Sequence, residues 1–281
     1  MKNSSVEIKK ASGETEAFDV AKLKASLQNA GAEENVINEI ASDIEEWVYE
    51  GVTTQKIYAR AYKLFRRKRD TGALRYKLKK ALFKLGPTGY PFEHFIGELY
   101  KKQGYETEVG QIVKGRCITH EMDVIATKDG KQYLMECKFS HDQGNRLSIQ
   151  VPLYVRSRVD DIIDKRKQMA EYKNFSFSAW VVTNARFSAD SMDYSKCSGL
   201  NLLGWDYPKD NGLKDIIERF NIFPITILSH LAKKEKQQLM EQGIVTCSQL
   251  LSDTTLLNSL GLSKKKQRNV LKELDEVTEK K

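Results

Sequence analysis

No run in this 281-residue sequence approaches the roughly 20 consecutive apolar residues that a membrane-spanning helix needs. Met1 to Lys10 also lacks the apolar stretch of a secretory signal, so a cytoplasmic location with no membrane partner is expected. Cysteine is sparse: Cys117, Cys137, Cys197 and Cys247 stand far apart with no C-x-x-C pair, which argues against a zinc knuckle or a disulfide framework. The pattern G-x-x-x-x-G-K-[ST] is absent, and with it any support for ATP hydrolysis of the Walker type. There is no long internal repeat, and no low-complexity tract beyond a lysine run. Proline is scarce too, and two of the five residues, Pro87 and Pro91, fall with Gly86 and Gly89 inside one six-residue stretch. That stretch is the strongest break in the chain and marks a domain boundary.

What is present is enough to fold. Hydrophobic residues make up 40% and aromatics 9%, sufficient apolar surface for ordinary domains of a soluble protein. The length suits two or three of them. The net charge of +8 favours a polyanionic partner. The basic residues gather in two places: Arg66, Arg67, Lys68, Arg69, Arg75, Lys77, Lys79, Lys80 and Lys84 before the break, and Lys264, Lys265, Lys266 and Arg268 near the end. Each cluster reads equally as a solvated helix face.

Three segments follow from the hydrophobic periods. The first, residues 1–86, opens on a strand-like piece from Val6 to Lys10, turns at Ser12-Gly13 and continues as helices. Asp19 caps the first, which carries Leu23 and Leu27; Val36, Ile40 and Ile44 mark a second; Ile57, Ala61, Leu64 and Phe65 a third; a fourth is expected from Ala73 to Leu85. The second segment, 87–215, has a helix from Phe92 to Gln103 and strands near 106–113, 117–127 and 131–139. A helix near 151–172 and strands at 179–183 and 200–205 follow. The order is α-β-β-β-α-β with an added strand, a mixed sheet. The third segment, 216–281, is a small all-α unit with helices expected over 225–242, 248–251, 254–260 and 263–277. The fold class is therefore multidomain α/β.

Asp129-Gly130 is the signature of a two-residue type I′ turn. A hairpin about it places Lys128 opposite Lys131 and, counting outward, Asp123 opposite Glu136 and Glu121 opposite Lys138. Period-two alternation then sends all four side chains to one face, together with Ile125 and Leu134, while Met122, Val124, Ala126, Tyr133, Met135 and Cys137 fill the other. Two facing carboxylates repel unless a cation lies between them, and Mg²⁺ takes carboxylate oxygens. Such an ion can polarise a phosphodiester and activate water, with Lys138 positioning that water or helping to deprotonate it. Glu93, near the start of the preceding helix, is placed to orient a ligand or hold a second ion. The plain alternative is a solvent face with cross-strand salt bridges.

Phe92-Glu93, His120-Glu121-Met122-Asp123 and Glu136-Cys137-Lys138, in that α-β-β-β-α-β order over about 87–210, resemble the PD-(D/E)XK nucleases, in particular the Mrr-like restriction endonuclease branch. The resemblance implies a restriction-endonuclease-like domain hydrolysing DNA. Asp123 and Glu136, with the Cys137 main-chain carbonyl, would hold Mg²⁺ or Mn²⁺; Lys138 would be the catalytic lysine and Glu93 the helix carboxylate. Gln150 matches the glutamine that follows the E-x-K strand in that branch. Met122 stands where the motif's name has proline.

Ile8-Lys9-Lys10 with Gly13, Phe18-Asp19 with Lys22, Gly51-Val52-Thr53-Thr54 and Arg75-Tyr76 are similar to the ATP-cone regulatory module over about 4–86, although Ala11-Ser12 replaces the usual single Asp. That resemblance implies ATP or dATP bound by Lys9, Lys10, Glu16, Lys22 and Thr54, with Arg75 added, as a sensor. Leu260-Gly261-Leu262-Ser263-Lys264 is similar to the hairpin of helix-hairpin-helix or SAM-like DNA-binding units, and equally to a small interaction or dimerisation bundle. Together these features lead to an expected metal-dependent DNA endonuclease responsive to adenine nucleotides, compatible with a homo-oligomer. The alternatives are a nucleotide-responsive DNA-binding regulator with an inactive nuclease fold, or cleavage of RNA.

Overall fold

The computed structural model describes residues 6–10, 13–67 and 76–278. The N-terminal part is a hairpin, β1 (Glu7–Lys9) and β2 (Thr15–Ala17), followed by α1 (Val20–Asn29), α2 (Glu34–Trp47) and α3 (Thr54–Arg67). Asp19 caps α1 as expected, its carboxylate accepting from Ala21 N at 2.8 Å. The returning strand β2 escapes the sequence reading because three residues with alternating exposure carry no apolar signal. Ile8, Leu27, Ile40, Ile44, Ile57, Ala61, Phe65 and Tyr76 close a core of their own.

The fourth expected helix is shorter than its pattern. It forms α4 (Leu78–Leu82), with Ala73 to Arg75 outside the described residues. Leu78, Ala81, Leu82 and Leu85 leave the N-terminal core and join the core of the rest of the chain.

The middle part is one mixed sheet between helices. After α5 (Tyr90–Lys101), β3 (Glu106–Lys114), β4 (Thr119–Lys128) and β5 (Lys131–Lys138) form an antiparallel meander. The short β6 (Arg146–Leu147), α6 (Gln150–Arg166), β7 (Ser176–Thr183), β8 (Arg186–Phe187), α7 (Ala189–Ser198) and β9 (Asn201–Leu203) follow. The sheet order is β3-β4-β5-β7-β9, with β7 and β9 parallel to β5 and its neighbour. Parallel strands need crossovers, and α6 and α7 supply them. The turn at Asp129-Gly130 has φ of +49° and +69°, as a type I′ turn requires. Helix α7 went unread because its buried positions are Ser191 and Ser195, which give no apolar period.

Val155, Val159 and Ile162 of α6 cover one face of the sheet over Ile125, Leu134, Ala179 and Val181. On the other face Phe92, Phe95, Ile96 and Leu99 of α5 lie over Val124, Ala126, Met135 and Val182. This second core runs on without interruption into α8 (Leu213–Phe220), α9 (Lys233–Glu241), α10 (Cys247–Ser252), α11 (Leu256–Ser259) and α12 (Lys264–Thr278). The single helix expected over 225–242 is a 3₁₀ turn at Ile225–Ile227 and then α9. The interruption comes from the buried Glu273, whose carboxylate accepts the main-chain N–H of Ser229 and of His230, both at 2.8 Å. Gly261 turns with φ of +63° between α11 and α12. Among the described residues no helix is long and apolar enough to cross a membrane.

Candidate active site

The site forms where β4 and β5 separate. Their ladder runs from Lys128↔Lys131 to Val124↔Met135, the register that the turn dictates, and stops one step before Asp123 and Glu136. The next main-chain donor, Cys137 N–H, is met by the Asp123 carboxylate at 2.6 Å instead of by a strand carbonyl. Alternation also breaks here. Met122 packs with Ile125 and Leu134 beneath α6, not with Val124 on the other face as even spacing requires. On β3, Val109 and Val113 likewise reach opposite cores. Between them Gly110, lying between the pairs Val109↔Val124 and Gln111↔Met122, has φ of +64°. Gly110→Ala is expected to cost about 1–2 kcal/mol through its left-handed backbone and to impair catalysis with it, since Asp123 sits at the same distortion. A urea titration paired with a cleavage assay checks this.

The four charged residues therefore do not share one face. Glu136 and Lys138 point toward α6, Asp123 turns into the gap between the strands, and Glu121 is exposed, its carbonyl accepting from Arg158 at 3.2 Å.

Glu136 is the centre of the network. Its side chain is 3% exposed, and it carries more partners than any sequence argument supplied. Oε1 accepts from Lys138 Nζ at 2.6 Å and from Tyr154 Oη at 2.7 Å, while Oε2 accepts from Arg158 Nη1 at 2.5 Å. Tyr154 and Arg158 were missed. The available signal was helical spacing, because Gln150, Tyr154 and Arg158 recur every four residues along α6. Gln150 itself is exposed at the first position of that helix.

Thr183 and Asn184, both fully buried at the end of β7, were missed as well. Thr183 Oγ1 donates to the Lys138 carbonyl at 2.6 Å, and Asn184 exchanges bonds of 2.8 and 2.9 Å with the Ser140 main chain, pinning the segment that carries Lys138.

The electrostatics are those of crowded acids beside held cations. Burial, then the charge of Glu136, pushes Asp123 up to about 6, against the opposing Cys137 N–H. Burial, then Asp123, Glu121 and Glu136, pushes Glu93 up to about 7. Glu93 thus lies near enough to Asp123, Glu121 and Glu136 for their charges to act on it. Burial works against the Lys138 ammonium, but hydrogen bonds to Glu136 and Tyr154 outweigh it and hold its proton above the ordinary lysine range. The Cys137 thiol is buried on the α5 face, and burial raises it well above the ordinary range. Among the described residues no group of three or more His, Cys, Asp and Glu side chains converges to cage an ion.

In the N-terminal part, Lys10 and Lys22 converge on Glu16 at 2.9 and 3.1 Å. Lys9 N donates to Val52 O at 2.9 Å, and Lys9 bridges Thr53, beside Thr54 at the start of α3. Arg75 lies outside the described residues. Of the C-terminal lysines, Lys266 is committed to Glu235 at 2.6 Å.

Two family models match the chain: "Restriction endonuclease" over residues 87–206 and "AF1548-like, C-terminal" over 223–278. An uncharacterized protein of Archaeoglobus fulgidus is 33% identical over 183 residues, covering 65% of this chain and 99% of that protein. A crystal structure titled as a protein of unknown function, AF1548, is similar at 32% identity with a TM-score of 0.56, covering 68% of this chain and 98% of that one. The first 86 residues lie outside both family matches. Matched along nearly the whole of such a relative, the chain belongs to the AF1548-like family and carries a restriction-endonuclease-like catalytic domain at residues 87–206.

Proposed function

We propose that the protein is a divalent-metal-dependent endodeoxyribonuclease whose reaction is carried by Asp123, Glu136 and Lys138. One observation carries the reading: buried Glu136 lies 2.6 Å from Lys138 Nζ, beside Asp123, where β4 and β5 part within the segment matching the restriction endonuclease family. A nuclease domain of this kind implies DNA as substrate.

The donor set fits Mg²⁺ or Mn²⁺. Such an ion takes one or two carboxylates and keeps several waters, so Asp123, Glu136 and the Cys137 carbonyl suffice. Its charge would offset the burial, and then the carboxylate repulsion, that raise Asp123 and Glu93. When bound, it polarises the phosphodiester and lowers the pKa of a coordinated water. Hydrogen bonds to Glu136 and Tyr154 favour the Lys138 ammonium, a form that would orient the attacking water and offset the charge that builds on the phosphate. Glu93 orients a water or a ligand from the α5 side, and Gln150 stands at the head of the helix that delivers Tyr154 and Arg158.

ATP or dATP is the proposed effector of the N-terminal part. Polyphosphate would compete with Glu16 for Lys10 and Lys22, next to Lys9 and Thr54.

A second reading has one observation in its favour: Arg158 already occupies Glu136 Oε2, which suits a DNA-binding regulator with a silent nuclease fold. Plasmid DNA and a matched RNA, incubated with Mg²⁺, Mn²⁺ or EDTA, with and without ATP or dATP, separate the two. Metal-dependent nicking or linearisation of DNA is expected, with a rate or oligomeric state that changes with nucleotide. Intact plasmid in both metals, alongside retained DNA binding, overturns the enzyme in favour of the regulator.

A further inference from the structure

The lysines of α4 do not form a simple solvated face. Lys77, Lys80 and Lys84 follow one side of the α4 segment, while Leu78, Ala81, Leu82 and Leu85 bury the other. That apolar side is docked on the C-terminal helices, where Thr226 Oγ1 donates to the Ala81 carbonyl at 2.7 Å. Docking brings a fourth lysine alongside. Lys236 of α9 donates to the Thr226 carbonyl at 3.3 Å, and three residues further on Ser229 Oγ accepts from Lys77.

Lys84 and Lys77 lie close enough to act on Lys236, and Lys80 and Lys77 to act on Lys84. Burial, then Lys84 and Lys77, lowers Lys236 to about 8, and burial, then Lys80 and Lys77, lowers Lys84. The carboxylate acting on Lys236 is Glu273, which is already engaged by the Ser229 and His230 main chain. An assembly of like charges across a domain seam has a cost, and an external polyanion would offset it.

The seam also leads to the reaction centre. Two residues beyond Lys84, a side chain at Gly86 would come within 2.9 Å of His141 and 3.0 Å of Phe139, the residue after Lys138. Gly89 in turn approaches Glu93, whose Oε1 lies 2.9 Å from where a Cβ would stand.

We infer that Lys77, Lys80, Lys84 and Lys236 form a phosphate track that holds the flank of a DNA duplex and feeds it past Gly86 toward Asp123 and Glu136. The inference rests on the proposed nuclease reading for its choice of partner. Lys77 to Lys84 spans about 10 Å at helical rise. A duplex presents one charge per roughly 1.7 Å of axis, so a row of this length suits several phosphates better than one small anion. The C-terminal lysine run is a weaker rival, since Lys266 is consumed by Glu235.

Fluorescence anisotropy of a labelled duplex, with the full chain, EDTA and about 50–200 mM salt, tests the track. The Lys80→Gln/Lys84→Gln/Lys236→Gln variant is expected to bind on the order of tenfold or more weakly, with the slope of log K against log salt shallower by about 2–3. Thermal melts establish that it is folded, and Lys80→Glu/Lys84→Glu, at two exposed positions, repeats the test without touching α9. Unchanged affinity and slope in a folded variant overturn the track even where wild-type DNA is cut. Loss of binding in the variants, alongside a wild type that cuts nothing, supports the track and sinks the nuclease reading instead. Inorganic triphosphate bound tightly at the lysines, with no DNA binding by the wild type, replaces the track with a small-anion site.

Discussion

Asp123→Asn and Glu136→Gln are each expected to lower cleavage by about a thousandfold or more, while moving stability in opposite directions. Glu136 is the counter-charge for Lys138 and Arg158 and accepts from Tyr154 as well. An amide there leaves two cations without an anion. Breaking a buried pair costs about 3–5 kcal/mol; Lys138 is 37% exposed, so about 2–3 kcal/mol is expected here. Asp123 is the opposite case, a carboxylate that burial and Glu136 hold at about 6 against a reference value of 3.8. Between those values the folded chain binds more protons than the unfolded one, so this group's contribution to stability falls as pH rises through the window and stays lost above it. An asparagine cannot ionise, and its Oδ1 still accepts from Cys137 N–H. Melts in EDTA at pH 4 and pH 7 therefore should show Asp123→Asn gaining on the wild type at the higher pH, and Glu136→Gln below the wild type at pH 7. Equal losses at pH 7 would mean that burial and Glu136 do not raise Asp123 in the folded chain.

These opposite signs depend on a feature that only part of the sequence disclosed. Asp129-Gly130 fixes its own turn through two positive φ values, and the turn fixes the register, so the pairing that leads toward Asp123 and Glu136 was legible from one hairpin. The length at which the ladder holds was not legible. It ends because Asp123 takes the Cys137 N–H and Gly110 twists the neighbouring strand, and a glycine in a strand announces neither its φ nor its partner. Arg158 and Tyr154 were hidden for a different reason: they meet Glu136 through a crossover helix whose rotation on the sheet is set by Val155, Val159 and Ile162. Long apolar periods such as that of α5 gave their elements readily. Helix α7, with serines inside, and β2, with three residues, gave nothing to read.

Phe92→Ala is expected to cost about 3–5 kcal/mol and to spend that loss in only one of two unfolding transitions. Phe92 is fully buried on α5, its ring 5.8 Å from that of Phe139, so its removal opens a cavity beside the residue that follows Lys138. The core it belongs to joins α5, one sheet face and the C-terminal helices, and the chain crosses into it from the N-terminal core between Tyr76 and Leu78. The N-terminal core, with Ile40, Ile44 and Phe65, and the core that joins α5 to the C-terminal helices are thus expected to unfold as separate cooperative units. Hydrogen exchange along a urea series resolves them. Protection in α2 and α3 is expected to stay where it is, while α5, β5 and α12 lose protection together. Phe92→Leu, which keeps most of the volume, is expected to cost about 1 kcal/mol. If Phe92→Ala left α12 protected while α5 opened, the C-terminal helices would be stable without the nuclease sheet, and the seam crossed by Lys84 and Lys236 would be a contact between independent bodies instead of a fixed surface.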